Sequence, residues 1–168
     1  FLVSTMAVQC MLWQTSPAAT EMETRMMEWL RQAIGLPGSF SGVIQDSASS
    51  ATLAAVLTMR ERSLRWQGNE DGLSQHPKLR IYCSGEAHSS IDRAVWVAGI
   101  GSDNIVRIPV SGAHRSMDPE GLRQAIKNDL AAGHLPIGVI ACTGATGMGA
   151  CDDIAAVIDV AQNFDLYI

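Results

Sequence analysis

Three groups of residues in this chain have the types and spacing to do chemistry. They are the serine cluster Ser47-Ala48-Ser49-Ser50, the lone imidazole of His88, and the loop Thr143-Gly144-Ala145-Thr146-Gly147-Met148-Gly149. The serine cluster follows small and apolar residues from Gly42 onward and runs into 53–65, whose apolar spacing predicts a helix. Backbone N–H groups at a helix start lack intrahelical acceptors, and the helix dipole is positive there. Such a start seats an anion, most often a phosphate, and Ser47, Ser49 and Ser50 add hydroxyl donors. Read without its surroundings, the same cluster is a helix cap. His88 brings a group that titrates near neutral pH, directly before another helical stretch.

These groups need elements to position them, and the pattern supplies an alternation. Strands are predicted at 79–83, 104–110 and 135–142, and a further one begins at 165. Helices are predicted at 17–34, 53–65, 89–98, from Asp118-Pro119 to about 132, and from Asp152 or Asp153 onward. Leu122, Ile126 and Leu130 form the expected inward face of the helix after Pro119. The run 135–142 is continuously apolar, as in a strand buried on both faces. Strand and helix alternating with short loops is the pattern of a mostly parallel α/β sheet, in which ligands collect at the carboxyl ends of the strands. Loops 45–50, 84–90 and 143–151 lie at that edge. The first predicted helix carries Met22, Met26, Trp29, Leu30, Ala33 and Ile34 at helical spacing, a stripe expected in a core or a subunit interface. Two segments are expected: 1–41 as an N-terminal piece with an interface helix, and 42–168 as part of a larger ligand-binding domain.

Composition narrows the classes. The chain has 168 residues, 47% apolar and 17% charged, with a net charge of -5. That size and balance suit one domain with a substantial core. A net negative chain with no block of Lys or Arg argues against a nucleic-acid surface or a membrane patch, and no apolar run approaches the ~20 residues of a membrane span. The four cysteines, Cys10, Cys83, Cys142 and Cys151, show no metal-ligand spacing. They read as free thiols of a reducing, cytoplasmic compartment. The chain begins Phe1-Leu2-Val3 and stops at Leu166-Tyr167-Ile168, part-way into a predicted strand, so an internal piece of a longer protein is expected.

The glycine loop admits a rival reading. Thr143-Gly144-x-x-Gly147-x-Gly149 after a strand is close to the fingerprint of the NAD(P)-binding short-chain dehydrogenases. It is one residue short of their usual spacing and falls late in the chain. Asp165 precedes the next strand, where it is badly placed for a ribose.

Four blocks carry a different resemblance along essentially the whole chain. Met11 through Glu23, Val43 through Leu53, Glu86-Ala87-His88-Ser89-Ser90-Ile91-Asp92-Arg93-Ala94, and Ala141 through Asp153 resemble the group II pyridoxal-phosphate-dependent amino-acid decarboxylases, which include the aromatic amino-acid decarboxylases. The resemblance implies part of the large domain of an aspartate-aminotransferase-like, type I fold. Its implied activity is decarboxylation of an L-amino acid, aromatic by preference, to the amine, with pyridoxal 5'-phosphate as cofactor and a homodimer as the working assembly. By the same resemblance Ser47, Ala48 and Ser49 hold the phosphate, and His88 stacks on the pyridine ring. Thr146 lies beside the ring's 3-oxygen, and Asp152 belongs to the network on the cofactor's side. Met11 and Trp13 line the partner subunit's substrate pocket. Asp46 departs from the pattern, since many relatives carry Gly or another small residue there. The Schiff-base lysine and the aspartate for the pyridine nitrogen fall beyond the chain in this pattern, and neither Lys78 nor Lys127 sits in a matching motif.

Overall fold

The computed structural model describes residues 1–8 and 12–168, so Met11 and Cys10 lie outside the described residues. The chain divides into units Phe1–Asp46 and Ser47–Ile168. The first holds α1 (Leu2–Met6) and α2 (Pro17–Ala33). Pro17 opens α2 at the position where its missing N–H is not needed. The segment after α2 is tied back to it by Glu23, whose Oε1 accepts the Ile44 N–H at 2.7 Å. The expected Met and Trp stripe does not form a core within this unit. No residue of α2 is buried, and Met22, Trp29, Leu30 and Ile34 are all exposed. A unit this short supplies no second layer to cover an apolar face.

The second unit contains α3 (Ala48–Ser63), α4 (Gly68–Asp71), β1 (Leu79–Ser84), α5 (Ser90–Val97) and β2 (Ile105–Ile108). A small antiparallel hairpin of β3 (Val110–Ser111) and β4 (Ser116–Met117) follows. Next come α6 (Pro119–Ala131), β5 (Leu135–Ile140) and α7 (Ile154–Gln162). The main sheet is parallel in the order β2-β1-β5, with Ile81 opposite Ile105 and Cys83 opposite Ile140. Tyr167 bridges Gly138 in parallel, where the next strand was expected.

Alternation of side chains along the strands splits the core in two. Ile81, Cys83 and Ile137 pack with Val56 and Met59 of α3 and with Ile91, Ala94 and Val95 of α5. Tyr82 and Val139 pack on the other face with Leu122 and Ile126 of α6 and Val157, Val160 and Ala161 of α7. Each of the buried Val, Leu, Ile and Met side chains contributes about 1.5–3 kcal/mol relative to exposure.

Three expectations are corrected. The third helix begins at Ala48, not at residue 53, because Ser47 caps it: its Oγ accepts the Ser50 N–H at 3.2 Å. The predicted strand 104–110 ends at Ile108, and Pro109, which has no N–H to donate, breaks it before the hairpin. On α6 the inward position after Ile126 is Asp129, which is buried, while Leu130 is exposed. Asp129 tolerates burial because it accepts from Arg80 Nε at 3.0 Å and Tyr82 OH at 2.7 Å, with His134 Nδ1 at 2.9 Å. No helix among the described residues is long and apolar enough to cross a membrane.

Candidate active site

The topology places a crevice. The connection leaving β1 runs through α5 on one face, and the connection leaving β5 runs through α7 on the other. β1 and β5 are neighbours, so their carboxyl ends form a switch point where ligands of open α/β sheets bind. Loop 85–89, with His88, and loop 141–153, with Thr146, leave from those two strand ends. The third group arrives from α3. Its last turn meets the amino-terminal side of the sheet, where Ser63 Oγ donates to Ile137 O at 3.4 Å and Arg62 lies 3.5 Å from Asp165. At 1.5 Å per residue the 16-residue helix spans about 24 Å, enough to carry its start to the carboxyl edge. By topology and helix length Ser47, Ala48, Ser49, His88, Thr146 and Asp152 fall on the carboxyl side of the sheet, and among the described residues no hydrogen bond joins the three loops at those positions. Trp13 is exposed in the first unit, and its indole N–H donates to Glu21 Oε1 at 3.4 Å.

Each group is held differently. At the start of α3, among the described residues, only the Ser50 N–H is taken by a side chain. The N–H groups of Ala48 and Ser49 have no intrahelical acceptor, and no acidic residue stands in the first turn. His88 is exposed, and its Nδ1 accepts the Ser90 N–H at 3.1 Å. With Nδ1 acting as acceptor, the neutral ring carries its proton on Nε2. The base of this loop is fixed by Arg107 of β2, which donates to Ser84 O at 3.2 Å and Cys83 Sγ at 3.1 Å and pairs with Asp92 of α5 at 2.6 Å. Burial pushes the Cys83 thiol up to about 11, against the pull of the neighbouring Arg107. Ser84 Oγ is buried with no hydrogen-bond partner among the described residues, at the last position of β1.

Loop 141–153 folds back on itself. Thr143 bridges Cys151, and Ala150 O accepts the N–H groups of Gly144 at 3.0 Å and Ala145 at 2.8 Å. Thr146 lies exposed in the turn at the loop's tip. Asp152 is buried, with both oxygens engaged: Oδ1 accepts the Met117 N–H and Oδ2 the Cys142 N–H, each at 2.7 Å. Asp153, and not Asp152, caps α7, accepting the Ala156 N–H at 3.1 Å.

The same geometry argues against a dinucleotide site. In that fold the glycine turn enters its helix directly and the pyrophosphate sits on the helix N-terminus. Here α7 starts five residues after Gly149, its N-terminus is capped by a carboxylate, and the N–H groups of Gly144, Ala145 and Gly149 bond within the loop.

The donor set does suit a phosphate-bearing ring. It combines free N–H groups at a helix start, hydroxyls, an imidazole with one nitrogen uncommitted, and an orphaned buried hydroxyl at Ser84. An α/β protein whose polar groups converge on the carboxyl edge at a switch point defines the class. The chain matches the pyridoxal-dependent decarboxylase conserved domain over residues 1–168, and it belongs to that family. It is 37% identical to tryptophan decarboxylase 1 of Oryza sativa subsp. japonica, over 93% of this chain and 32% of the relative. It is also 37% identical to aromatic-L-amino-acid decarboxylase of Sus scrofa, over 93% of this chain and 34% of that one. A crystal structure of Oryza sativa TDC with PLP and tryptamine superposes with a TM-score of 0.89 at 34% identity, covering 99% of this chain and 35% of that one. The chain thus spans about a third of the length of the curated relatives it matches.

Sequence reasoning missed Arg107, Asp92, the hairpin and the Tyr82–Asp129 pair. One signal for Arg107 was available, since a charge inside an apolar strand stretch needs a partner.

Proposed function

We propose that the protein carrying this chain is a pyridoxal-phosphate-dependent amino-acid decarboxylase acting on an aromatic L-amino acid. The observation that carries the reading is the convergence of the α3 start, the His88 loop and the Thr146 loop on the β1/β5 switch point, in a chain that matches the family throughout. Ser47, Ala48 and Ser49 hold the phosphate through hydroxyls and N–H groups, which fixes the ring's position. His88 would contact the cofactor's ring, with Nε2 as the atom that would hold or deliver a proton. Thr146 would help hold the ring through its hydroxyl. Asp152 acts at one remove, by holding the Thr146 loop through two backbone N–H groups. When bound, the cofactor supplies the electron sink that lets the substrate lose carbon dioxide. Residues 42–168 form part of the cofactor-binding domain. Residues 1–41, including Met11 and Trp13, serve a homodimer interface beside the partner's substrate pocket. The free thiols Cys83, Cys142 and Cys151 support a cytoplasmic location.

A second reading has its own support. A protein of Rhodiola rosea named 4-hydroxyphenylacetaldehyde synthase is 34% identical over 99% of this chain. The test is the full-length protein with pyridoxal phosphate and L-tryptophan, L-tyrosine or L-dihydroxyphenylalanine, with carbon dioxide and organic product measured together. Equal amounts of carbon dioxide and amine are expected, and carbon dioxide with aldehyde favours the second reading. A cofactor-loaded protein that releases no carbon dioxide from any of the three overturns the proposal. His88→Ala is expected to lower kcat about 100-fold or more, and unchanged turnover removes the role given to that residue.

A further inference from the structure

The two loops at the β1/β5 crevice share no hydrogen bond among the described residues, yet both are bonded to one small element. The hairpin of β3 and β4 pairs Val110 with Met117 and Ser111 with Ser116, and its tip turns through Gly112 and Arg115, both in the left-handed region. On one side the Arg115 guanidinium pairs with the carboxylate of Glu86, two residues before His88. The Glu86 side chain is mostly covered, with 16% of its surface exposed, while that of Arg115 is 46% exposed, so solvent screens the pair from the arginine side only. On the other side the hairpin holds the loop that carries Thr146. His114 O accepts the Cys151 N–H at 3.0 Å, Ser116 Oγ donates to Cys151 O at 2.6 Å, and the Met117 N–H donates to Asp152 at 2.7 Å.

We propose that hairpin 110–117 is a brace that sets the separation of the His88 and Thr146 loops, with Glu86 and Arg115 as positioning residues for His88. This rests on the reading that His88 and Thr146 flank the same cofactor. The brace has a weak side and a strong side. Among the described residues three hydrogen bonds fix the hairpin to loop 141–153, whereas loop 85–89 is reached through one ion pair. Cutting that pair therefore releases the His88 loop from the hairpin, with its base still held by Arg107, and leaves the Thr146 loop in place. Removing Asp152 instead takes away one of the three bonds to the other loop and loosens it.

Charge exchange in the full-length protein tests this. Glu86→Arg, Arg115→Glu and the double exchange are compared with wild type by amide hydrogen exchange of the cofactor-free protein and by kcat and KM of the loaded enzyme. Each single variant is expected to speed exchange in 84–90 about tenfold and leave 143–151 unchanged. Each lowers kcat about tenfold with KM little altered, since misplacement near one ångström suffices for larger losses. The double exchange restores both. Arg115→Lys and Glu86→Gln serve if a reversal fails to fold, and are expected to fall between wild type and the reversals. Wild-type exchange in the singles, or a double variant no better than either single, overturns the brace. The expected exchange pattern in the variants, together with a cofactor-loaded wild-type protein that releases no carbon dioxide, counts against the decarboxylase reading alone.

Discussion

Asp152→Asn isolates what holds the Thr146 loop. The carboxylate is buried, and its two oxygens accept the N–H groups of Met117 and Cys142 at 2.7 Å each. Asparagine has nearly the same shape, but only one of its two terminal atoms accepts; the other is an NH₂ group pressed against a backbone N–H. One charge-assisted bond is lost, and one buried N–H is left facing a donor. Hydrogen bonds to charged groups contribute roughly 1.5–3 kcal/mol, so the local opening free energy falls by about 2 kcal/mol. Since 1.4 kcal/mol is a factor of ten, exchange of one of these two amides should accelerate about 30-fold. Residue-resolved hydrogen exchange on the full-length protein reads this directly. Asp153→Asn is the control. Asp153 caps α7 through the Ala156 N–H, asparagine caps as well as aspartate, and no more than a few tenths of a kcal/mol should change. If Met117 and Cys142 both exchange in Asp152→Asn within about threefold of wild type, the carboxylate is not what closes the loop.

Two further outcomes follow from the packing. Burial alone would push the Asp129 carboxyl up, but His134, Tyr82 and Arg80 outweigh it and hold it below the ordinary value of 3.8. Its contribution is therefore complete above that value and is lost as pH falls through the lower folded value. Burial, helped by Asp129, pushes the Tyr82 hydroxyl far above the ordinary 10.0, so its contribution is complete below pH 10 and is lost as pH rises beyond it. Denaturation midpoints against pH should show Asp129→Asn flattening the acid limb and Tyr82→Phe the alkaline limb; limbs parallel to wild type would refute the linkage. Gly138 lets α3 approach the sheet, because a Cβ there would stand 2.5 Å from Met59 Sδ, and Met59 is itself buried. Gly138→Ala should destabilise by about 1–3 kcal/mol, and the double variant with Met59→Ala should lose less than the sum of the singles in urea titration.

Much of the second unit was legible in the chain because its signals are local. Apolar periodicity marked α5, α6 and α7, Asp118-Pro119 marked the start of α6, and the apolar run marked β5. The start of α3 was misjudged because the first turn, Ala48–Thr52, carries no apolar residue larger than alanine, and a periodic pattern is blind to it. The Met and Trp stripe of α2 was correctly seen as a helix face. Periodicity locates such a face, but what covers it depends on layers the stripe does not encode.

By itself the sequence determined the order of the main strands β1, β2 and β5 and of helices α2, α3, α5, α6 and α7, and the family, and it set the sheet edge at which the Ser47, His88 and Thr146 loops are expected. Those follow from side-chain period, turn chemistry and blocks of neighbouring residues, all short-range. Only the tertiary structure decided that Asp152 holds a loop while Asp153 caps a helix. It also decided that Asp129 is buried in place of Leu130, that Arg107 staples the His88 loop, and that the 110–117 hairpin ties two loops together. Apart from the Asp153 cap, whose partner Ala156 is three positions on, each of these depends on a hydrogen-bond or ion-pair partner 10 to 49 positions away, or on which face of an element meets another layer. A carboxylate's role is set by the donors the fold brings to it, and the chain brings them only once the sheet has closed.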